Sequence, residues 1–276
     1  MKKQKRILLL GDILGVIVTA VLFLIPFYFM FVQSIKSKKE ARYLTIDWPS
    51  EVHFDNYAEV FKFNNYQLVK AFKNSALLTV FTVIGLLFTA AMAAYVIQRR
   101  KDTLMTVIQS VIMIGLMIPA AILPTIHLLQ SMHIYKSMFS MVMIEIALQT
   151  PFAIMLYRGY MASIPRELEE AARIDGCSRW GIFTRIIFPL LKPIQATLII
   201  LVGVQTFNDF TNPLYFLPGA DNVTVQQTLY NYRSQVQSSY NLLFADIIII
   251  TIPMLILFLI FNKRIVDGMV AGSVKG

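Results

Sequence analysis

Residues 242–261 read LLFADIIIITIPMLILFLIF, a run in which Asp246 is the only ionisable side chain. About 20 consecutive apolar residues are enough for an α-helix to cross the hydrocarbon core of a bilayer. A helix is the expected form, because inside a membrane every backbone polar group must find its hydrogen bond within the protein. This stretch therefore predicts a membrane-spanning helix near the end of the chain.

Five further apolar stretches precede this one, and the composition of the chain agrees with them. Of the 276 residues, 57% are hydrophobic and 15% are charged, whereas a typical soluble domain has about 25% charged residues. The sequence predicts an all-α polytopic membrane protein with six transmembrane helices. It excludes a soluble α/β enzyme, a disordered chain and a disulfide-stapled secreted domain. The five stretches are residues 7–32, 74–97, 103–129, 137–157 and 194–217.

Basic residues are distributed unevenly between the segments that separate these stretches. Successive segments must lie on opposite sides of the membrane, so they fall into two alternating sets. One set holds 16 Lys and Arg residues and the other holds 8. The basic-rich set belongs in the cytoplasm, which places both termini there. We expect a cytoplasmic N-terminus at 1–6, a six-helix transmembrane domain at 7–262 and a cytoplasmic tail at 263–276. The basic-rich segments are 1–6, 98–102, 158–193 and 263–276, and the others are 33–70, 130–136 and 218–240.

The sequence lacks the residue patterns that several classes of function require. The net charge of +9 fits basic inner loops and no basic face of a polar domain, so we expect no nucleic-acid partner. The single cysteine, Cys177, and three scattered histidines form no pattern of metal ligands, so we expect no metal. No Gly-x-x-x-x-Gly-Lys-[Ser/Thr] phosphate loop and no hydrolase motif occurs, which predicts a non-catalytic chain.

The segment between the fourth and fifth stretches, residues 158–193, is expected on the cytoplasmic side and is termed the inner loop. It carries the clearest local signals. Ser163 is placed to cap a short helix, Pro165 suits its first turn, and Gly176 suits the left-handed position just after its end. A helix this short needs a surface to pack against, either this chain's own membrane ends or a partner protein. A well-capped surface loop would explain the same features. One narrow apolar face is expected from Ile164, Leu168, Ala171 and Ala172.

The same segment resembles a known family signature. Glu170-Ala171-Ala172, Gly176, Ile186 and Phe188-Pro189 are spaced as in the EAA motif of binding-protein-dependent ABC importers, which has Leu-Pro at the last two positions. Residues 164–176 are similar to the maltose-type sugar permeases in particular. Two more stretches, 208–217 and 266–276, resemble parts of the MalG-like half of those permeases. The resemblance therefore runs from the first span to the last residue.

This resemblance implies a type I ABC importer permease fold in a bacterial-type cytoplasmic membrane, and transport of carbohydrate, with oligosaccharide favoured. The implied partners are a second homologous permease, two ATPase subunits, an extracytoplasmic sugar-binding protein and membrane lipid. ATP and Mg would bind to the ATPases, and no cofactor would bind to this chain. The inner-loop helix would couple the membrane domain to an ATPase through Glu169, Glu170, Ala171, Ala172, Asp175 and Gly176.

Polar residues inside the apolar stretches are candidates for a substrate pathway, because polar groups at membrane depth usually face protein or water. A sugar pathway needs donors and acceptors for hydroxyl groups. Hydrogen bonding between helices would explain the same residues, as would a pathway in which the second permease alone holds the substrate. The pathway candidates are Glu145, Gln149, Gln205, Asn208 and Asp209.

Three other functions compete with that of an importer subunit. A self-sufficient ion-coupled carrier would use Glu145 and Asp246 as its proton or sodium sites, but it would leave the inner-loop motif unexplained. A purely structural subunit of a membrane complex would have no pathway at all. An intramembrane enzyme would need a catalytic constellation that the sequence does not contain.

Overall fold

The computed structural model describes residues 2–100, 102–232 and 238–273, and within these ranges it contains helices and no strand. By their contacts the residues form two compact units. The first unit comprises Met1–Val69 and Gln227–Pro253, and the second comprises Lys70–Gln226 and Met254–Gly276. The inner loop and the five pathway candidates all lie within the second unit.

Most helices follow one another with short connections, and a longer segment, residues 42–54, separates α2 from α3. The first group is α1 Lys2–Ser34, α2 Lys38–Ala41, α3 Asp55–Arg99, α4 Thr103–Ile114, α5 Ile122–Ser131 and α6 Met138–Met161. The second group is α7 Glu167–Ile174, α8 Arg179–Ile182, a π-helical turn Phe183–Ile187, α9 Phe188–Leu190, α10 Lys192–Phe207 and α11 Thr211–Phe216. The last group is α12 Val225–Thr228, a 3-10 turn Leu229–Tyr232 and α13 Tyr240–Ser273.

Several of these helices are long and apolar enough to cross a membrane. Within the described residues they are Asp55–Arg99, Met138–Met161 and Tyr240–Ile260. The pair Arg179–Leu190 and Lys192–Phe207, bent by 72° at the break between them, is long enough when taken together and forms either a broken span or a re-entrant loop. Val18–Ser34 and Thr103–Ile114 are shorter apolar helices. All six apolar stretches of the sequence therefore contain helix, while six complete spans and cytoplasmic termini stay predictions.

Two of the expected spans are interrupted. The stretch 103–129 is not one helix, because α4 ends at Ile114 and α5 begins at Ile122. Pro119 lies between them and has no N–H to donate to a continuing helix. The stretch 194–217 is broken after Phe207, where Asp209 Oδ1 accepts the backbone N–H groups of Thr211 and Asn212 at 2.9 and 3.3 Å. This side chain replaces helical hydrogen bonds and starts a new helix.

Helix α3 begins earlier than the apolar pattern indicates. The apolar stretch starts at residue 74, but α3 starts at Asp55 and bends sharply within Phe63–Tyr66, where Asn64, Asn65 and Tyr66 have positive φ. The polar residues before the bend show no membrane periodicity, so the sequence gives no signal for this part of the helix. The long apolar part of α3 after the bend contributes to the second unit.

The second unit is built on close contact between α3, α6 and α10. Leu86, Ala90, Ile154 and Leu198 belong to its buried apolar cluster. At Gly85 an added Cβ atom would lie 2.5 Å from Cδ1 of Ile146, so a larger residue on α3 would require the end of that α6 side chain to move. Small residues at helix crossings allow tight packing in membranes, where helix association depends on van der Waals contact.

Hydrogen bonds between buried polar side chains join the segments of the first unit. Thr228 donates to Asp246 Oδ2 at 2.8 Å, and Asn241 donates to Asn56 Oδ1 at 2.8 Å. Asn56 in turn donates to the backbone oxygen of Ser34 at 2.8 Å. Hydrogen bonds of this kind hold the helices of a bundle together, and Asp246 therefore has a structural partner within its own unit.

Helical structure extends into both of the expected cytoplasmic ends of the chain. Helix α1 already includes residues 2–6, and α13 continues through most of the expected tail at 263–276, as far as Ser273. The final residues 274–276 lie outside the described residues.

Candidate functional site

The inner-loop helix α7 ends in a well-defined C-terminal cap. Gly176 has φ +80°, its N–H donates to the oxygen of Arg173 at 3.1 Å, and the N–H of Cys177 donates to the oxygen of Ala172 at 2.9 Å. These two bonds are the Schellman arrangement, which favours glycine at the left-handed position. The placement of Gly176 just after the helix is confirmed.

The start of α7 differs from the expectation. Ser163 does not cap the helix, because α7 begins at Glu167 with Arg166 at the cap position and no side-chain cap bond. The hydroxyl of Ser163 instead donates to the oxygen of Tyr160 at 2.7 Å, finishing the preceding helix α6. The three acidic residues of the first turn, Glu167, Glu169 and Glu170, stabilise the helix start through its dipole.

The inward side of α7 is held by a buried ionic cluster. Glu169 is 6% exposed, and its Oε2 accepts a hydrogen bond from the hydroxyl of Tyr95 at 2.8 Å. Its Oε1 lies 2.6 Å from Nε of Arg99. Nη2 of Arg99 also donates to the backbone oxygen of Ile164 at 3.2 Å. The end of α3 thus binds both α7 and the segment that leads into it.

The outward side of α7 is free of such contacts. Glu170 and Ala171 are exposed, Ile174 is 86% exposed and Leu168 is 44% exposed. The expected single apolar face is therefore wrong, because Ile164 is buried and lies before the helix, where helical spacing does not apply. Glu169 and Ala172, three residues apart, point inward instead. Asp175 and Gly176 are exposed at the end of the helix.

Aromatic side chains join the second half of the inner loop to the same region of α3. The ring of Phe88 lies 5.9 Å from that of Trp180, 6.1 Å from Phe183 and 5.8 Å from Phe188. The ring of Tyr95 lies 5.6 Å from Phe183. Edge-to-face pairs of this kind add to the free energy of apolar burial, so α8 and α9 also pack firmly on α3.

The polar candidates of α6, of α10 and of the turn after α10 meet around one cavity. Its volume is about 430 Å³. Glu145 is 1% exposed and Gln149 is 6% exposed, whereas Gln205 and Asn208 are exposed. The lining residues are Glu145, Leu148, Gln149, Val204, Gln205, Asn208, Asp209 and Asn212. All five pathway candidates thus line this cavity.

Asn212 is a cavity residue that the sequence analysis did not single out. Its Nδ2 donates to Oε1 of Glu145 at 3.1 Å, and Gln226 donates to Oδ1 of Asn208 at 2.8 Å. The sequence feature that could have identified Asn212 is its position as a polar residue beside Pro213, where the apolar pattern of the span is interrupted. The lining offers amide and carboxylate groups and no Lys, Arg or His, which is the chemistry that binds hydroxyl groups.

A second cavity of the same unit has a different character. Its volume is about 350 Å³. Apart from Thr79 its lining side chains are apolar, among them Val83, Leu87 and Ile200. Such a surface has almost no donor or acceptor for a hydroxylated solute, so the polar cavity is the better candidate for a substrate site.

Comparison with known proteins agrees with this architecture. Residues 85–270 match the family described as binding-protein-dependent transport system inner membrane component. The chain is 31% identical to the probable ABC transporter permease protein YurM of Bacillus subtilis, over 91% of this chain and 83% of that one. It is 31% identical to the B. subtilis arabinooligosaccharides transport system permease protein AraQ, over 93% and 92%. It is 30% identical to the multiple sugar-binding transport system permease protein MsmG of Streptococcus mutans over the full length of both.

Solved structures share the fold at low sequence identity. A bacterial ABC transporter involved in the import of the acidic polysaccharide alginate has a chain with a TM-score of 0.79 and 22% identity, covering 94% of this chain and 96% of that one. A bacterial alginate ABC transporter in complex with its pentasaccharide-bound periplasmic protein gives a TM-score of 0.67 at 19% identity, with 95% coverage of each chain. These structures show the fold, and the family match with the relatives of similar length establishes that the chain belongs to the family of inner-membrane components of binding-protein-dependent transport systems.

Proposed function

We propose that this chain is the permease subunit of an ATP-driven carbohydrate importer, in which it forms half of the translocation pathway. The observation that carries the proposal is the two-sided helix α7, which is fastened inward to α3 and exposes Glu170 and Ala171 outward. Family membership and relatives named for oligosaccharide transport support it. The substrate we propose is an oligosaccharide.

The exposed side of α7 suits a cleft on a cytoplasmic ATPase. Ala171 lets another backbone approach closely, and Ile174 and Leu168 offer apolar surface on the same exposed side. Glu170 supplies a carboxylate that has no side-chain partner within the described residues, so a donor of the ATPase can satisfy it. Charge-assisted bonds at such a contact are stronger than neutral ones.

The polar cavity is the part of the pathway that this chain would contribute. Gln149, Gln205 and Asn208 provide amide donors and acceptors, and Asp209 provides a carboxylate acceptor. These groups can exchange partners with the hydroxyl groups of a passing sugar, so binding stays weak enough for release. A second, homologous permease would complete the enclosure.

Energy for the cycle would come from two partner ATPases, which would bind ATP and Mg. Closure of the ATPases would draw the docked helices together and shift the membrane domain between its inward-open and outward-open states. An extracytoplasmic sugar-binding protein would deliver the substrate on the other side. This chain would perform no hydrolysis itself.

The competing function of a self-sufficient ion-coupled carrier is not supported. The family to which the chain belongs works with binding proteins, and several relatives are named as ABC or sugar-transport permeases. Of the two residues that the carrier would use as ion sites, Asp246 is bonded to Thr228 and Glu145 to Asn212. Both carboxylates thus have partners of their own.

Co-purification tests the proposed assembly. The tagged chain would be isolated in mild detergent and its partners identified by mass spectrometry. We expect an ATPase with a phosphate loop and a second permease. After reconstitution into liposomes with the binding protein, we expect uptake of an oligosaccharide such as raffinose or an arabinooligosaccharide only when ATP is present. Uptake by the chain alone without ATP would contradict the proposal.

A further inference from the structure

We infer that Glu169 is a positioning residue that locks the inner-loop helix α7 to the inner end of α3, and that it makes no contact with the ATPase. The inference rests on the proposed function only for its transport readout, because the anchor itself is a property of this chain. Glu169 and Glu170 thus have different roles, although they are adjacent in the sequence.

The burial of Glu169 leaves no surface for a partner protein. Its side chain is 8% exposed and that of Arg99 is 14% exposed. One carboxylate oxygen is occupied by Tyr95 at 2.8 Å, and the other lies 2.6 Å from Arg99 Nε. A carboxylate in this position is stabilised only while its partners stay in place, because an unpaired buried charge is strongly unfavourable.

Glu170 points the other way. Adjacent residues of an α-helix are turned by about 100° from each other, and Glu170 is exposed with no side-chain hydrogen bond or ion pair within the described residues. One glutamate is thus available to a partner and the other holds the helix. The sequence alone does not distinguish these two adjacent glutamates.

The anchor acts on a helix that cannot hold itself. Helix α7 has 8 residues, which is too short for independent stability in water. Arg99 also donates to Ile164 at 3.2 Å, so one guanidinium binds both the start of the loop and its helix. When a partner displaces α7, the end of α3 must follow or the buried pair must break.

From α3 the displacement reaches the helix that lines the polar cavity. The hydroxyl of Tyr157 on α6 donates to the backbone oxygen of Leu87 on α3 at 3.2 Å, and Gly85 packs against Ile146. Helix α6 carries Glu145, which lines the cavity. A continuous set of packed contacts therefore connects α7 to the polar cavity within one compact unit.

Cys177 gives a direct measurement of the anchor. It is the only cysteine of the chain, it follows Gly176 directly, and it is half-buried against the core cluster. The full-length chain in inverted membrane vesicles would be labelled with N-ethylmaleimide, and the rate compared between wild type, Glu169→Gln and the matched control Glu170→Gln. Release of α7 in Glu169→Gln should raise the rate about fivefold or more, since local opening exposes the thiol.

The control and a double variant make the outcome decisive. Glu170→Gln should label within about twofold of wild type, because it breaks no contact of the resting chain. Arg99→Gln should behave like Glu169→Gln, and the two changes together should add little, as expected for residues that act through each other. A rate for Glu169→Gln within twofold of wild type, or an equal rise for Glu170→Gln, would overturn the inference.

Transport measurements distinguish positioning from simple damage. In the reconstituted complex, Glu169→Gln should keep basal ATP hydrolysis and lose most of its stimulation by the binding protein, and the exchanged pair Glu169→Arg with Arg99→Glu should recover part of it. Full stimulation in Glu169→Gln would count against a role in coupling. Absence of ATP-driven uptake by the wild-type complex would refute the proposed function, while the labelling rates would still decide whether the anchor exists.

Discussion

The side-chain amide of Asn212 donates a hydrogen bond across 3.1 Å to Oε1 of Glu145, a residue 67 positions earlier in the chain. Glu145 is 1% exposed in α6, and this partner from α11 is one of the groups that hydrogen-bond its carboxylate. The pair lines the polar cavity and at the same time joins two helices. Its contributions to stability and to transport can be separated by the choice of substitution.

Glu145→Leu should destabilise the chain, because it leaves the amide of Asn212 without its acceptor. The amide of Asn212 is half-buried, and a hydrogen bond to a charged group contributes roughly 1.5–3 kcal/mol, so the melting temperature should fall by a few degrees. Glu145→Gln keeps an acceptor oxygen and should melt close to wild type, while ATP-driven uptake falls if the carboxylate serves the pathway. Thermal unfolding of the purified complex measures the first effect. Equal melting of the Leu variant and wild type would show that the bond adds no stability.

Asp209 also has a structural role beside its place in the cavity. Its Oδ1 accepts the N–H groups of Thr211 and Asn212 at the start of α11. Asp209→Ala should therefore lower the unfolding free energy by about 1 kcal/mol, the usual cost of losing a cap. Asp209→Asn retains an oxygen acceptor and should unfold near the wild-type temperature. If the Asn variant proves as unstable as the Ala variant, the capping explanation is wrong.

The sequence predicts the helices and the cavity residues better than it predicts their partners. Asp209 and Glu145 stand out because each is polar in an apolar stretch, and this signal is local. Asn212 contacts Glu145 only in the folded chain, and its position at a broken helix hides it from an apolar pattern. The gap in the third stretch follows from Pro119, but the length of the gap depends on packing that no single segment determines.

In the inner loop too, local backbone features were predictable from the sequence and tertiary contacts were not. Gly176 was predictable, because a left-handed residue after a helix is a backbone property. The inward turn of Glu169 was not, since it depends on Tyr95 and Arg99, which lie 74 and 70 positions earlier. Ser163 has the right residue type for a cap and the wrong surroundings, because the chain bends between it and Glu167. Capping preferences describe a local choice that tertiary contacts can override.

Glu170→Ala should lower ATP-driven uptake about tenfold or more, because a charged hydrogen bond contributes roughly 1.5–3 kcal/mol. The matched control is Glu167→Ala, which removes an exposed carboxylate from the same helical turn and should keep most of the uptake. Membrane insertion and recovery of the complex should be normal in both variants. Wild-type uptake by Glu170→Ala in a normally assembled complex would refute its role at the ATPase contact.

Gly176→Ala tests the backbone at the end of α7 without any steric clash. A Cβ atom at Gly176 would meet nothing within 4 Å, but the residue has φ +80°, and a side chain there costs about 1–2 kcal/mol. Gly159→Ala is the matched control, because it also has open space and lies inside helix α6, where alanine is favoured over glycine by about 1 kcal/mol. We therefore expect faster maleimide labelling of Cys177 in Gly176→Ala and an unchanged rate in Gly159→Ala. Equal rates in the two variants would mean that the left-handed turn does not hold the end of α7 in place.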